Sequence, residues 1–153
     1  MRPLEPGQLK VMRIHALGWL LLIPAGLVAE AVIARNLAGF PAGLVLVPLL
    51  LLLVYPVIIA PPRRFRAWGY DRVGEELHVA RGIWTRVETI VPFARVQHID
   101  IAQGAIERRF GVCRLLLHTA GTMHNVVVLP GLTRETAEAL RDEIRSRIRD
   151  DAL

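Results

Sequence analysis

His98 and Asp100 stand two residues apart in "VPFARVQHIDIAQGAIERRFG", Val91 to Gly111. On an extended strand, residues i and i+2 share a face, so this spacing would set an imidazole beside a carboxylate. Such a pair serves general-base catalysis or contributes to a metal site. His78, His118 and His124 are the further imidazoles that such a site could recruit. The rest of the chain supplies no matching machinery: there is no His-Glu-x-x-His, no serine elbow and no Gly-rich phosphate loop. The only serine is Ser146, and the only cysteine, Cys113, opens an apolar run. Alternation gives a simpler account, with Ile99 and Ile101 toward a core and His98 and Asp100 on the wet face of an antiparallel strand. The expectation is no catalytic residue, no metal and no cofactor. A metal-dependent enzyme is the least favoured reading.

The basic residues are the second candidate chemistry. Arg81, Arg86 and Arg95 flank strand ends and turns, and Arg108 and Arg109 form an adjacent pair. These five are the candidate contacts to a protein partner or an anionic lipid headgroup. The alternative is a solvated charged face. Net charge is +5, from 19 basic and 14 acidic residues, and Lys10 is the single lysine. The arginine bias reads first as genomic base composition. Nucleic-acid binding needs a concentrated basic patch or a recognised module, and neither occurs. One cysteine allows no intramolecular disulfide, so nothing points to an oxidising compartment.

What must position these side chains is divided in two. Hydrophobic residues make up 53% of the chain, and they cluster: between Arg13 and Arg63 the only charges are Glu30 and Arg35. Ala16 to Ala34 is long enough to cross a hydrocarbon core, which takes about 20 helical residues. A second run centres on Leu44 to Ala60. Joined by the turn-rich "RNLAGFPAG", Arg35 to Gly43, they predict a transmembrane hairpin over residues 1–62, with spans at about 14–34 and 42–60. Pro24, Pro48 and Pro56 should bend the helices. Arg2, Lys10 and Arg13 flank one end and Arg63, Arg64 and Arg66 the other, against Arg35 alone in the loop. The positive-inside rule then places both termini in the cytoplasm. Glu30 is the one carboxylate within a span, and an intramembrane carboxylate is a candidate functional residue. The plainer reading has it reach the outer interface by snorkelling, with Arg35 helping to neutralise it.

From residue 63 to 153 the pattern becomes β. "RAWGYDRV", "LHVARGIW", "RVETIV", "VQHIDIAQ", "CRLLLHTA" and "HNVVVL" read as short strands, with "AIERRFG" as a helical turn and "GTM" at Gly121 as a hairpin turn. Gln97 and Gln103 are expected on the core side with Ile99 and Ile101. Phe110 is expected as an apolar plug after the turn, with Gly111 allowing an unusual backbone. Ile83 and Trp84 adjoin a strand edge and could pack against neighbouring copies. A helix over about 133–149 follows, capped by Thr133, with Ala137, Leu140, Ile144 and Ile148 forming one apolar stripe. An all-β barrel or sandwich closed by a C-terminal amphipathic helix is the pleckstrin-homology (PH) architecture.

Val91-Pro92-Phe93-Ala94-Arg95-Val96-Gln97, then Ile99-x-Ile101-x-Gln103-Gly104, Arg109-Phe110-Gly111 and Thr119-Ala120-Gly121 resemble the bacterial PH-like membrane proteins of the YdbS-like family. The similarity covers nearly the whole chain, including the order of its parts. The resemblance implies a two-helix hairpin followed by one PH-like domain in an inner-membrane protein. It also implies action beside a larger membrane protein carrying several such domains; resistance to antimicrobial peptides has been suggested for some members. The expected function is a membrane-anchored binding or assembly module that acts with another membrane protein or as a homo-oligomer. The alternative is a sensor of anionic lipid headgroups at the inner leaflet. Membrane lipids are expected as surroundings.

Overall fold

The computed structural model describes residues 1–37, 41–120 and 126–150. The chain forms two compact units. One comprises Met12–Arg63; the other joins Met1–Val11 to Arg64–Leu153. The first eleven residues thus fold with the β-rich part, whereas the sequence pattern drew the division at residue 62.

The first helical run holds α1 (Pro6–Leu17), which crosses from one unit into the other, a 3-10 turn at Gly18–Leu21 and α2 (Leu22–Asn36). Pro24 explains the departure from α geometry: a helical proline ring crowds the carbonyl four residues earlier, here at Leu20. The second helical run holds α3 (Leu46–Val54), a π-helical turn at Tyr55–Ile59 that contains Pro56, and α4 (Ala60–Ala67). Pro48 sits in the first turn of α3, where no N–H is missed. The continuous helices Pro6–Asn36 and Leu46–Ala67 have 31 and 22 residues and are apolar enough to cross a membrane. Gly26 is where the two helices meet: a Cβ there would strike the Leu49 side chain.

In the second unit, six strands form two antiparallel three-stranded sheets. β1 (Gly69–Val73), β2 (Glu76–Arg81) and β3 (Val87–Pro92) make one meander. β4 (Val96–Ala102), β5 (Cys113–Thr119) and β6 (Val126–Leu132) make the other. The β1–β2 turn is tight because Gly74 takes φ +59, and Gly82 bends the chain after β2 at φ +110. The predicted turn at Gly121 lies outside the described residues. Leu77, Val79 and Val91 from one sheet, Phe93 from the turn that follows it and Leu115, Leu117 and Leu129 from the other sheet are buried. Each fully buried side chain of this size contributes about 1.5–3 kcal/mol. α6 (Arg134–Asp150) supplies Ala137, Leu140 and Ile144, all buried, and packs against β4, β5 and the turn at Phe93–Arg95. Thr133 caps it as predicted, its hydroxyl accepting the Thr136 N–H at 3.1 Å.

Two one-residue irregularities shape the second sheet. Between Val96 and His98 the register against β5 shifts, so Gln97 is an inserted residue and the alternation changes phase. Gln97 is consequently exposed, not core-facing as the uninterrupted pattern predicted. Gln103 keeps a structural role, donating its amide to the Val112 carbonyl at 2.9 Å. In β6, Leu129 and Leu132 face Leu115 and Cys113, leaving an extra residue at Pro130–Gly131, with Gly131 at φ +68.

That second bulge is where the N-terminus docks. Glu5 donates its N–H to the Gly131 carbonyl at 2.9 Å. Leu4, Gln8 and Val11 are buried. Arg2 and Tyr70 exchange both main-chain bonds, at 2.6 and 3.0 Å, which extends the first sheet beyond β1. Burial raises the Tyr70 phenol above its usual range. Phe110, expected as an apolar plug, is only half-buried, and Lys10 lies over its ring at 5.7 Å from the centroid. A Cβ on Gly131 would come within 2.7 Å of Gln8 Cβ and 3.2 Å of Leu4 Cβ. Gly131→Ala should therefore cost about 2–4 kcal/mol, combining the left-handed penalty with overpacking. Gly74→Ala, with open space around it, should cost only about 1–2 kcal/mol. Thermal unfolding in detergent checks the order, and only Gly131→Ala should also speed tryptic cleavage after Lys10.

Candidate functional site

β4 sets His98 beside Asp100, and β5 adds His118. His98 Nε2 lies 2.8 Å from Asp100 Oδ1, and His118 Nε2, across the register, lies 3.1 Å from Asp100 Oδ2. The two imidazoles, 5.6 Å apart between ring centroids, share one carboxylate on the outer face of the sheet. His78 is in the other sheet, between Glu88 at 3.2 Å and Glu76 at 3.3 Å. His124 lies outside the described residues. Among the described residues no group of three or more His, Cys, Asp or Glu is arranged to hold a metal ion. Cys113 is buried, donates its thiol to the Leu132 carbonyl at 3.4 Å, and has its pKa raised by burial first and by Glu107 second. A thiol held protonated this way is a poor nucleophile.

The five candidate arginines fall in three places. Arg81 and Arg95 line one cleft of about 440 Å³ between the two sheets. It is bounded by β3 through Thr89, Ile90 and Val91 and by β6 through Val126 to Val128. These are the outer strands of their sheets, so each presents along its outer edge a row of main-chain N–H and C=O groups with no sheet partner among the described residues. Ile90 and Val126 are half exposed in the cleft. No acidic residue lines it, and neither the Arg81 nor the Arg95 guanidinium has an ion-pair partner among the described residues.

Arg86 belongs elsewhere. With Arg2, Arg66 and Trp68 it lines a hollow of about 320 Å³ at the start of β1 and the end of β2, and its guanidinium lies 3.6 Å from Met1 Sδ. Sequence reading counted Arg2 and Arg66 only as flanking charge. The visible signal for Arg2 was the Leu4, Gln8 and Val11 spacing, which marks a segment with one buried side.

Arg108 and Arg109 are exposed on α5 (Ala105–Arg109). This turn is held by Glu107, which is buried: it accepts the Gly104 N–H at 2.7 Å and pairs with Arg114 at 3.0 Å. Trp84, in the β2–β3 connection, is 84% exposed.

Glu30 lies in the other unit, and its carboxylate turns toward the second helix. It accepts the Gly43 N–H and, at 2.9 Å, the Leu46 N–H at the start of α3. The first N–H groups of any helix lack intrahelical partners, and in hydrocarbon an unmet donor is costly. Arg35, expected as its neutralising partner, forms no ion pair with it among the described residues. Glu30→Ala removes both acceptors and should therefore lower the unfolding midpoint of the hairpin. Glu30→Gln, whose single amide oxygen can accept only one of the two N–H groups, should fall between the wild type and Glu30→Ala. Unfolding midpoints in detergent give the order, and equal losses for both would show that charge rather than capping matters.

A family model described as "Bacterial PH domain" matches residues 17–148. The "UPF0699 transmembrane protein YdbS" of Bacillus subtilis (strain 168) is 34% identical over 100 residues, covering 64% of this chain. The match spans 61% of that relative's length. No solved structure matches the chain significantly.

Proposed function

The chain belongs to the bacterial PH domain family, and from that premise we propose that it works as a membrane-anchored binding and assembly module. It is a membrane-associated protein with a PH-like domain, similar to a transmembrane relative whose name gives no partner and denotes no enzyme. The hairpin holds the domain at the inner face of the plasma membrane, and the domain engages another membrane protein with PH-like domains or further copies of itself.

The observation that carries this reading is the apolar surface left on the β-rich unit. Trp84 is 84% exposed and Ile90 50%, joined by Val87 and Val126. Contiguous exposed apolar surface marks contact sites, and Ile90 and Val126 line one cleft together. A photoreactive benzoylphenylalanine in place of Trp84, in the full chain in native membranes, should give a protein adduct with one dominant partner or a dimer. Adducts with lipid alone would overturn assembly.

A second reading, recognition of anionic headgroups, is favoured by the hollow at Arg2, Arg66 and Arg86. Arg66 lies six residues beyond Ala60, so even a fully extended chain keeps it within about 20 Å of the end of the apolar run. Lipid adducts in the same experiment would support this reading.

Both termini face the cytoplasm on this proposal, supported by six basic residues at the two ends against Arg35 in the loop. Cys113 is only 1% exposed, so orientation is read better from Ser146→Cys in a Cys113→Ala background. Ser146 is exposed on α6. An impermeant maleimide should label it in inside-out vesicles and not in right-side-out ones. The opposite pattern would reverse the topology.

A further inference from the structure

We propose that the cleft between β3 and β6 binds an extended, acidic peptide segment of a partner protein, which adds as a strand along the free edge of β3. This rests on the assembly reading and names what that partner must present.

The chemistry of the cleft selects the occupant. Its lining offers two kinds of interaction together: the outer main-chain edges of β3 and β6, and apolar β-branched side chains, with Ile90 and Val126 half exposed. An acyl chain could use the apolar lining but has no donors or acceptors for a strand edge. An extended peptide uses both, since strand addition draws affinity from main-chain hydrogen bonds and specificity from alternate side chains. A volume of about 440 Å³ falls within the ~300–1,000 Å³ range of ligand sites. Charge complementarity sets the sign. Arg81 and Arg95 line the cleft with no acidic residue beside them, and guanidinium groups favour carboxylates through paired hydrogen bonds. β3 is the better template of the two edges. It contributes Thr89 to Pro92 in an unbroken run to the cleft, whereas β6 bears the bulge at Pro130–Gly131.

The test places benzoylphenylalanine at Ile90 in the full chain in native membranes and maps each adduct by mass spectrometry. The expected adduct is a partner segment with at least two carboxylates at alternating positions. Arg81→Glu with Arg95→Glu should lower its yield at least tenfold. Changing the captured carboxylates to lysine should restore that yield. Arg81→Gln with Arg95→Gln, a milder pair at exposed positions, should show a smaller loss and guards against misfolding of the reversed pair. Lipid adducts, a captured segment without carboxylates, or a yield indifferent to both arginine pairs would overturn the proposal. If Trp84 captures a partner while Ile90 captures none, the cleft proposal falls and the assembly reading stands. If neither position captures protein, both fall.

Discussion

Two sheets of three strands cannot enclose a core by themselves, and that constraint organises the β-rich unit. Leu77, Leu115, Leu117 and Leu129 are fully buried only because other parts of the chain close over them. α6 closes one side with Ala137, Leu140 and Ile144. The N-terminal residues contribute Leu4, Gln8 and Val11, anchored where β6 bulges at Gly131. A left-handed glycine is needed there because the docked segment comes so close that no Cβ fits. Extending the first sheet through Arg2 also occupies the outer edge of β1. The outer strands of the two sheets are β1, β3, β4 and β6, and what sets β3 and β6 apart is that their edges line one cleft.

Period and punctuation made most of this legible in the sequence. The strands from Glu76 to Leu132 fall where alternation and turn residues put them, and the stripe from Ala137 to Ile148 and its Thr133 cap lie where helical spacing put them. The failures have a common physical cause. Gln97 was assigned by parity, and a single inserted residue reverses parity for everything before it. Met1–Val11 was read as a charged flank because Arg2 and Lys10 dominate its composition, although its buried side is Leu4, Gln8 and Val11. The arginines were legible as candidates by type. Their sorting was not, because Arg81 and Arg95 become neighbours only when two separate sheets face each other.

Glu30 shows how a costly residue becomes intelligible once its partners are known. A carboxylate within an apolar span reads as functional because isolation of charge in hydrocarbon is unfavourable. Isolation is also the condition of the first N–H groups of α3, which no residue of that helix can satisfy. Joining Glu30 to Gly43 and Leu46 meets both needs with one side chain, and the contact of Gly26 with Leu49 lets the helices approach closely enough for it to reach. The pattern is that of a clasp within the hairpin, in which the polar residue fixes how the two helices pair.

An open strand edge is a hazard as well as an opportunity, since it invites pairing with any extended chain. Membrane anchoring sharpens the hazard, because copies held at one surface meet often. Arg81 and Arg95 bear on both sides of the problem. Two identical edges brought together would juxtapose like charges, which disfavours pairing between copies through this cleft. An acidic strand would meet the same charges as attraction. The feature that would protect the edge from self-pairing is then also the one that would select its partner, and no additional residue has to supply the discrimination. This separates the cleft from Trp84. An uncharged, exposed indole discriminates poorly between partners and suits contact area. A charged apolar cleft suits identity.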